Sequence, residues 1–317
     1  MDLSIIIVNW NSAHYVRKCL NSIYRNITDL DFEVIVVDNA SYEGSDRIIH
    51  EEFPKAKYVQ SEKNLGFAAA NNLGYEHACG NAVLFLNPDT EVVNDAIQKM
   101  LHALYSLSDV GIVGCRLLNS DLSVQTSCIQ PFPTILNQVM DAEVLKNWMP
   151  MAKIWGMSAL YTSNSKPVEV EAVSGACIMT KRDTFDSVNH FSADYFMYSE
   201  DIDLCMKAKQ KGLKVYFVGN AEVIHHGGGS SKKQDISLFG AVQMRESIYR
   251  FLTKTKGKPY AYMYRTIICM VSLCRIMAIA LIVPLVILSK EKNGFYQSLR
   301  KWKGIMRWSL GLEAWVR

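Results

Sequence analysis

The 317-residue sequence has eight cysteines but no C-x-x-C pair, so neither a zinc site nor a disulfide framework is indicated, and a reducing cytosolic setting fits best. It has no G-x-G-x-x-G and no G-K-[ST], which disfavours simple dinucleotide or P-loop binding. H-E-x-x-H is also missing, so zinc hydrolysis would need ligands at some other spacing. The opening "MDLSIIIVNWN" carries an acid at position 2 and lacks a cleavage-site pattern; it is expected not to be a signal peptide. There is no internal repeat and no low-complexity segment. Acids are nearly missing from one region: from Phe251 onward 12 Lys or Arg face only Glu291 and Glu313. That segment carries +10, which leaves −7 for the first 250 residues of a chain whose total is +3.

What is present begins with alternation. "LSIIIVNW", "FEVIVVDN", "AKYVQS" and "AVLFLNPD" read as strands, and "AHYVRKCLNSIYRN", "GSDRIIHEEF" and "FAAANNLGYEHA" as the helices between them. Strands alternating with helices of about 10 to 15 residues make βαβ units, hence an α/β fold whose parallel sheet has helices on both faces. A helix over 93–107 and a strand "VGIVGCRLL" follow, then loops and short helices from 119 to 168. A second ordered block runs through "VEAVSGACIMTKRDTF", "FMYSEDIDLCMKAKQKG", a strand "KVYFVG" and "AEVIHHGGGSS".

The early strands end in small polar residues: Asn9 and Asn11, Asp38 and Asn39, Asn87 and Asp89. One such ending is ordinary turn chemistry, but three on the same carboxyl edge of a sheet make a polar pocket where ligands bind. "NLGFAAANN" (64–72) is either a Gly turn opening a helix or a place where backbone amides approach a phosphate. In "LFLNPDTEV" (84–92) Asp89 and Thr90 either cap a following helix, or a carboxylate there, Asp89 or Glu91, ligates a divalent cation that neutralises a diphosphate. The acids of "SEDID" either cap and brace a helix, with Asp203 reaching Lys207, or supply a general base whose pKa is raised by crowding and burial. The paired histidines of "VIHHGGGSS" are structural or metal-binding, and the Gly and Ser run that follows reads as a loop able to close on phosphates.

The tail contains "TIICMVSLCRIMAIALIVPLVIL" (266–288), long enough to cross a bilayer but interrupted by Arg275 and Pro284. Arg275 at mid-bilayer would cost about 2.5 to 3.5 kcal/mol, which favours an interfacial arrangement over a simple span. A buried core helix is the alternative. The segment 290–307, with Trp302 and Trp308 among its cations, reads as an amphipathic surface helix with aromatics at headgroup level. An apolar run inside a basic tail argues for lipid rather than nucleic acid.

In this order "SIIIVNWN", "VIVVDNAS", "NLGFAAANN", "LNPDT", "SGAC", "YSEDIDLCMKAKQKG" and "HHGGGSS" resemble the inverting family-2 glycosyltransferases, especially the rhamnosyltransferase-like bacterial branch, over residues 1–235. The resemblance implies a GT-A (nucleotide-diphospho-sugar transferase) fold with a mostly parallel central sheet flanked by helices. It would comprise a catalytic domain over 1–250 and a helical membrane-association region over 251–317. It implies that Asn9 and Asp38 hold the base and ribose of a nucleotide-sugar donor, with Asn64, Gly66 and Asn71 lining that half of the pocket. Gly175 and Ala176 would form the turn beneath the donor sugar. Asp89 matches the last acid of the family's D-x-D motif, Asn87 stands where the first acid would be, and His225 would complete a site for Mg or Mn. Asp201 matches the catalytic base, supported by Glu200.

The function implied is transfer of a sugar, rhamnose from dTDP-rhamnose as the best guess, to a glycan or lipid-linked acceptor in polysaccharide assembly. The setting would be the cytoplasmic face of the inner membrane, with the protein peripheral or monotopic. Two alternatives compete. A nucleotidyltransferase would share the sheet but bring a basic Gly-rich loop near the first strand, where "VNWNSAHYV" has none. A non-catalytic membrane scaffold would explain the tail but not the ordered acids and histidines.

Overall fold

The computed structural model describes residues 1–41, 43–141, 143–162, 166–227, 234–286 and 292–316; the Gly and Ser run at 228–231, with positions 287–288 of the apolar stretch and Lys290, lies outside them. The chain divides into two compact units. The first comprises 1–132, 146–196 and 200–230, and the second 133–145, 197–199 and 231–317.

The first unit opens with β1 (Leu3–Asn9), α1 (Ala13–Asn26), β2 (Phe32–Asp38), α2 (Ser45–Glu52), β3 (Lys57–Gln60), α3 (Gly66–Glu76) and β4 (Ala82–Leu86). These are the alternating elements that the β-branched runs and amphipathic stretches indicate. β1 pairs in parallel with β2 and β4, and β2 with β3. Ile5, Ile6, Ile7, Val36, Val37, Leu84 and Phe85 are fully buried, as strands covered on both faces require.

Beyond β4 the pattern changes. Asp89 does not cap a helix; it leads into β5 (Thr90–Val92), and α4 (Ala96–Ser106) starts four residues later. β6 (Val110–Leu118) precedes a stretch of short pieces: β7 (Ile129–Gln130), α5 (Ile135–Val139), α6 (Glu143–Trp148) and α7 (Ser158–Thr162). Then come β8 (Val168–Val170), β9 (Ala172–Val173), β10 (Cys177–Lys181), α8 (Arg182–Ser187), α9 (Glu200–Gln210) and β11 (Lys214–His225). The main sheet runs β3-β2-β1-β4-β10-β6-β11-β5, with β8 pairing β11 off this path. It is mixed: β10 is antiparallel to both β4 and β6, and β5 and β8 are antiparallel to β11, while β6 and β11 are parallel. β11 does not stop at Gly219. A register shift between Val218 and Glu222 absorbs the irregularity and the strand continues to His225.

The second unit is helical, built on α10 (Gln234–Lys256), α11 (Lys258–Val286) and α12 (Lys292–Ser309), with α5 against α11. α11 contains Lys258–Leu281, among the described residues the one helix long and apolar enough to cross a membrane by length and composition. The surface placement expected for Trp302 and Trp308 is corrected here: they are only 8% and 1% exposed. Trp308 donates its indole N–H to Glu246 Oε2 at 2.9 Å, and the Arg265 guanidinium lies 5.1 Å from its ring centroid. Arg275, the costly cation of the apolar run, stacks 4.5 Å above Trp302. Gly304 allows the close approach of α12 to α10, since a Cβ there would meet the Leu238 side chain at 2.5 Å. α12 thus turns its indoles inward and leaves Arg300, Lys303 and Arg307 exposed, while Met270, Leu273, Met277 and Leu281 form an exposed apolar stripe on α11.

Candidate active site

The strand ends β1 and β2 meet in a buried polar knot. Asn9 Nδ2 donates to Asp38 Oδ2 at 3.0 Å, and Asn9 Oδ1 accepts from the Ser12 backbone N–H at 3.1 Å. Asp38 also accepts from the Ser41 N–H at 2.6 Å, from Gln60 Nε2 at 3.3 Å and from the Ser45 hydroxyl. Both side chains are essentially inaccessible, and their hydrogen bonds hold Ser12, Ser41 and Ser45. Next to it, Asn39 Nδ2 reaches Asn64 Oδ1 at 3.0 Å and the Gly66 carbonyl at 3.1 Å, and its Oδ1 accepts from Leu65 N–H at 2.8 Å. Gly66 has φ +78°, and a Cβ there would stand 2.2 Å from the Phe196 carbonyl oxygen, so only glycine fits. Asn71 is buried within α3 and donates to the Phe67 carbonyl at 3.0 Å.

A second group is assembled around the turn 174–176, between β9 and β10. Gly175 N–H donates to Asp201 Oδ2 at 2.9 Å, and a Cβ on Gly175 would lie 3.3 Å from Asp201 Cβ. Asp201 Oδ1 accepts from the Ile202 N–H at 2.8 Å at the head of α9, and Gln130 on β7 adds a contact of 3.4 Å to Oδ2. Burial pushes the Asp201 pKa above its ordinary value, against these hydrogen bonds, which pull it down. Glu200 is buried as well, and its Oε2 has no hydrogen-bond partner among the described residues. Burial first, and the neighbouring Asp201 charge second, hold its pKa well above the usual carboxylate range. Asp203 belongs elsewhere. It accepts from Ser192 Oγ at 2.6 Å and Tyr195 Oη at 3.2 Å and pairs with Lys207 at 3.7 Å, bracing α9.

The turn connects to the third group, because the Asn87 N–H donates to the Ala176 carbonyl at 2.9 Å. Asn87 Nδ2 lies 3.3 Å from His225 Nε2, and that nitrogen lies 3.3 Å from Asp89 Oδ1. The antiparallel pairing of β5 with β11 makes this meeting, setting His225 opposite Thr90. Hydrogen bonds and the chain itself therefore join Asp201, Gly175, Ala176, Asn87 and His225 in succession, and Asp89 stands at its end, 3.3 Å from His225 Nε2. A carboxylate oxygen and an imidazole nitrogen 3.3 Å apart suit adjacent positions on one divalent ion, since donors about 2.1 Å from a centre at right angles stand about 3 Å apart. Among the described residues no group of three or more His, Cys, Asp or Glu is placed to hold a metal, so phosphate oxygens and water would complete the shell.

Several participants escape sequence reasoning. His226 bonds Glu91 at 2.8 Å and Ser120 at 2.8 Å, which explains the second histidine as a clasp. Gln125 and Gln130 reach His225 and Asp201 from the irregular stretch after β6, and a lone glutamine there carries no motif.

Residues 4–188 match the family described as glycosyl transferase family 2. The N-acetylglucosaminyl-diphospho-decaprenol L-rhamnosyltransferase of Mycobacterium tuberculosis is 27% identical over 265 residues, 79% of this chain and 83% of that protein. Rhamnosyltransferase WbbL of Escherichia coli is 25% identical over 229 residues, 70% of this chain and 82% of that one. Among solved structures, the mannosyltransferase PcManGT from Pyrobaculum calidifontis, in complex with GDP-Man and Mn2+, superposes with TM-score 0.57 at 15% identity, covering 98% of this chain and 86% of its own.

Proposed function

We propose, because this chain belongs to glycosyl transferase family 2, that it carries out an inverting transfer from a nucleotide sugar to an acceptor hydroxyl with Asp201 as the base. The observation that carries the reading is the Asp201 carboxylate, buried with a raised pKa and fixed by the Gly175 and Ile202 amides. A carboxylate held in this way takes the acceptor proton as the hydroxyl attacks the anomeric carbon opposite the leaving diphosphate. The Gly175 and Ala176 turn, lacking bulk, leaves room for the donor sugar beside it. Asn9 and Asp38 shape the nucleoside side through Ser41 and Ser45, and Asn64, Gly66 and Asn71 do so through the head of α3. Asp89 and His225 hold Mg or Mn, and Asn87 orients His225 from the same side. When bound, that cation neutralises charge on the departing diphosphate.

The donor sugar proposed is rhamnose, carried by thymidine diphosphate, and the acceptor a lipid-linked glycan in cell-surface polysaccharide assembly. Support comes from relatives named for rhamnosyl transfer, one of them to a diphospho-decaprenol carrier. The experiment is release of free nucleoside diphosphate from a panel of nucleotide sugars with Mn2+ or with chelator. Release from dTDP-rhamnose that requires both acceptor and cation supports the reading. Equal release with chelator overturns the metal role, and release of pyrophosphate instead points to nucleotidyl transfer.

A lipid-linked acceptor asks for a membrane surface, and the second unit supplies one. The apolar stripe of α11 enters the interface and the outward cations of α12 meet anionic headgroups, on the cytoplasmic face of the inner membrane. This arrangement gives the lipid-facing role to Met270, Leu273, Met277 and Leu281 rather than to the tryptophans. Lys303→Glu, fully on the polar face, should weaken sedimentation with anionic vesicles by about 1 to 2 kcal/mol at low salt, and wild-type protein that stays in the supernatant would rule the surface out.

A further inference from the structure

The geometry points to Gln125 as a positioning residue that selects the tautomer of His225 and aims its Nε2 at the cation; this rests on the reading that Asp89 and His225 hold that ion. Gln125 makes two contacts to one residue. Its Nε2 lies 2.6 Å from the His225 carbonyl oxygen, and its Oε1 lies 2.9 Å from His225 Nδ1. A carbonyl only accepts, so the amide nitrogen must face it, and the amide oxygen must then face the imidazole. An amide oxygen in turn only accepts, which requires the proton on Nδ1. The consequence falls on the other ring nitrogen. Nε2 presents its lone pair, and the Asn87 amide at 3.3 Å is a donor aimed at it. The same lone pair faces Asp89 Oδ1 at 3.3 Å, so two electron-rich atoms converge with space for a positive centre between them.

The backbone of Gln125 is as firmly set as its side chain. Its N–H donates to the Leu117 carbonyl at 2.9 Å and its carbonyl accepts from the Cys128 N–H at 3.2 Å. Leu117 belongs to β6, which pairs with β11 opposite Val223, two residues before His225. Gln125 and His225 are therefore referred to the same pair of strands, β6 and β11.

The test reads the tautomer directly and separately from turnover. In metal-free protein, the ring nitrogen-15 resonances of His225 should show protonated Nδ1 and unprotonated Nε2 in the wild type. Gln125→Leu, which offers Nδ1 no acceptor, should lose that preference. Mn2+ binding, measured by calorimetry alone and with thymidine diphosphate, should weaken about 10- to 100-fold in Gln125→Leu. An unchanged His225 tautomer in Gln125→Leu overturns the proposal whatever happens to Mn2+. Should Gln125→Leu fail to fold, a wild-type His225 whose neutral ring carries its proton on Nε2 overturns it equally. His225→Ala that binds Mn2+ as tightly as wild type would instead defeat the metal reading, a failure distinguishable from that of Gln125.

Discussion

At the end of β2, Asp38 accepts hydrogen bonds from Asn9, Ser41, Ser45 and Gln60, whereas at the head of α9 the equally buried Glu200 keeps a carboxylate oxygen with no partner among the described residues. Both are acids removed from water, but only one is compensated. A fully satisfied buried network fixes a loop and can remain unchanged through a reaction cycle. An uncompensated buried acid costs stability, and such costs persist where chemistry needs a perturbed proton affinity. The strand-end knot is thus compensated within the fold, and the Glu200 and Asp201 pair is where proton affinity has been raised.

The largest test of that contrast is Asp201→Asn. It should lower turnover by about 10² to 10⁴ while donor binding and the unfolding temperature stay near wild type; turnover within a few-fold of wild type would remove Asp201 from the base role. Next is Asp38→Ala, which removes the acceptor of Asn9, of the Ser41 N–H and of the Ser45 hydroxyl. Loss of about 2 to 4 kcal/mol in urea unfolding is expected, and a variant of unchanged stability that merely binds donor weakly would make Asp38 a ligand contact instead of scaffold.

The smallest effect is expected of Glu200→Gln, and its sign depends on pH. Glu200 has a folded-state pKa raised above its ordinary 4.5, so the wild type has its full stability below that value and loses some as pH rises through the raised one. The amide of the variant does not titrate. Urea midpoints taken from pH 4 upward should therefore move in favour of the variant as pH increases, and a difference that stays flat would mean that the buried carboxyl is solvated.

Much of the knot is legible in the sequence, and for a physical reason. Runs such as "IIIVN" and "VIVVDN" state burial on both faces and then an abrupt polar end, so Asn9 and Asp38 announce a sheet edge by themselves. Asp89, Asp201 and His225 are marked as well, through the order of their motifs. What stays hidden depends on partners far away in the chain. Gln125 meets His225 across 100 positions, and nothing local marks either as the other's neighbour. The indoles of Trp302 and Trp308 fit a membrane interface or a helix interior equally well by spacing, and only the facing Arg275, Arg265 and Glu246 decide it. Burial alone also cannot distinguish Glu200 from Asp203, three residues apart, where Ser192, Tyr195 and Lys207 compensate one and not the other.

β10 has a consequence for how the protein is made. It lies between β4 and β6 and runs against both, yet it is reached only at Cys177, well after Leu118 has closed β6. During synthesis β4 and β6 thus exist for some sixty residues as strands without the one that joins them, each with an open edge able to pair wrongly. Insertion of β10 joins the two halves of the sheet and at the same moment brings the turn at Gly175 to its place beside β4. Completion of the sheet still waits for β11, which also carries His225, so a nascent chain arrested at Lys181 has neither the whole sheet nor the Gly175 contact to Asp201.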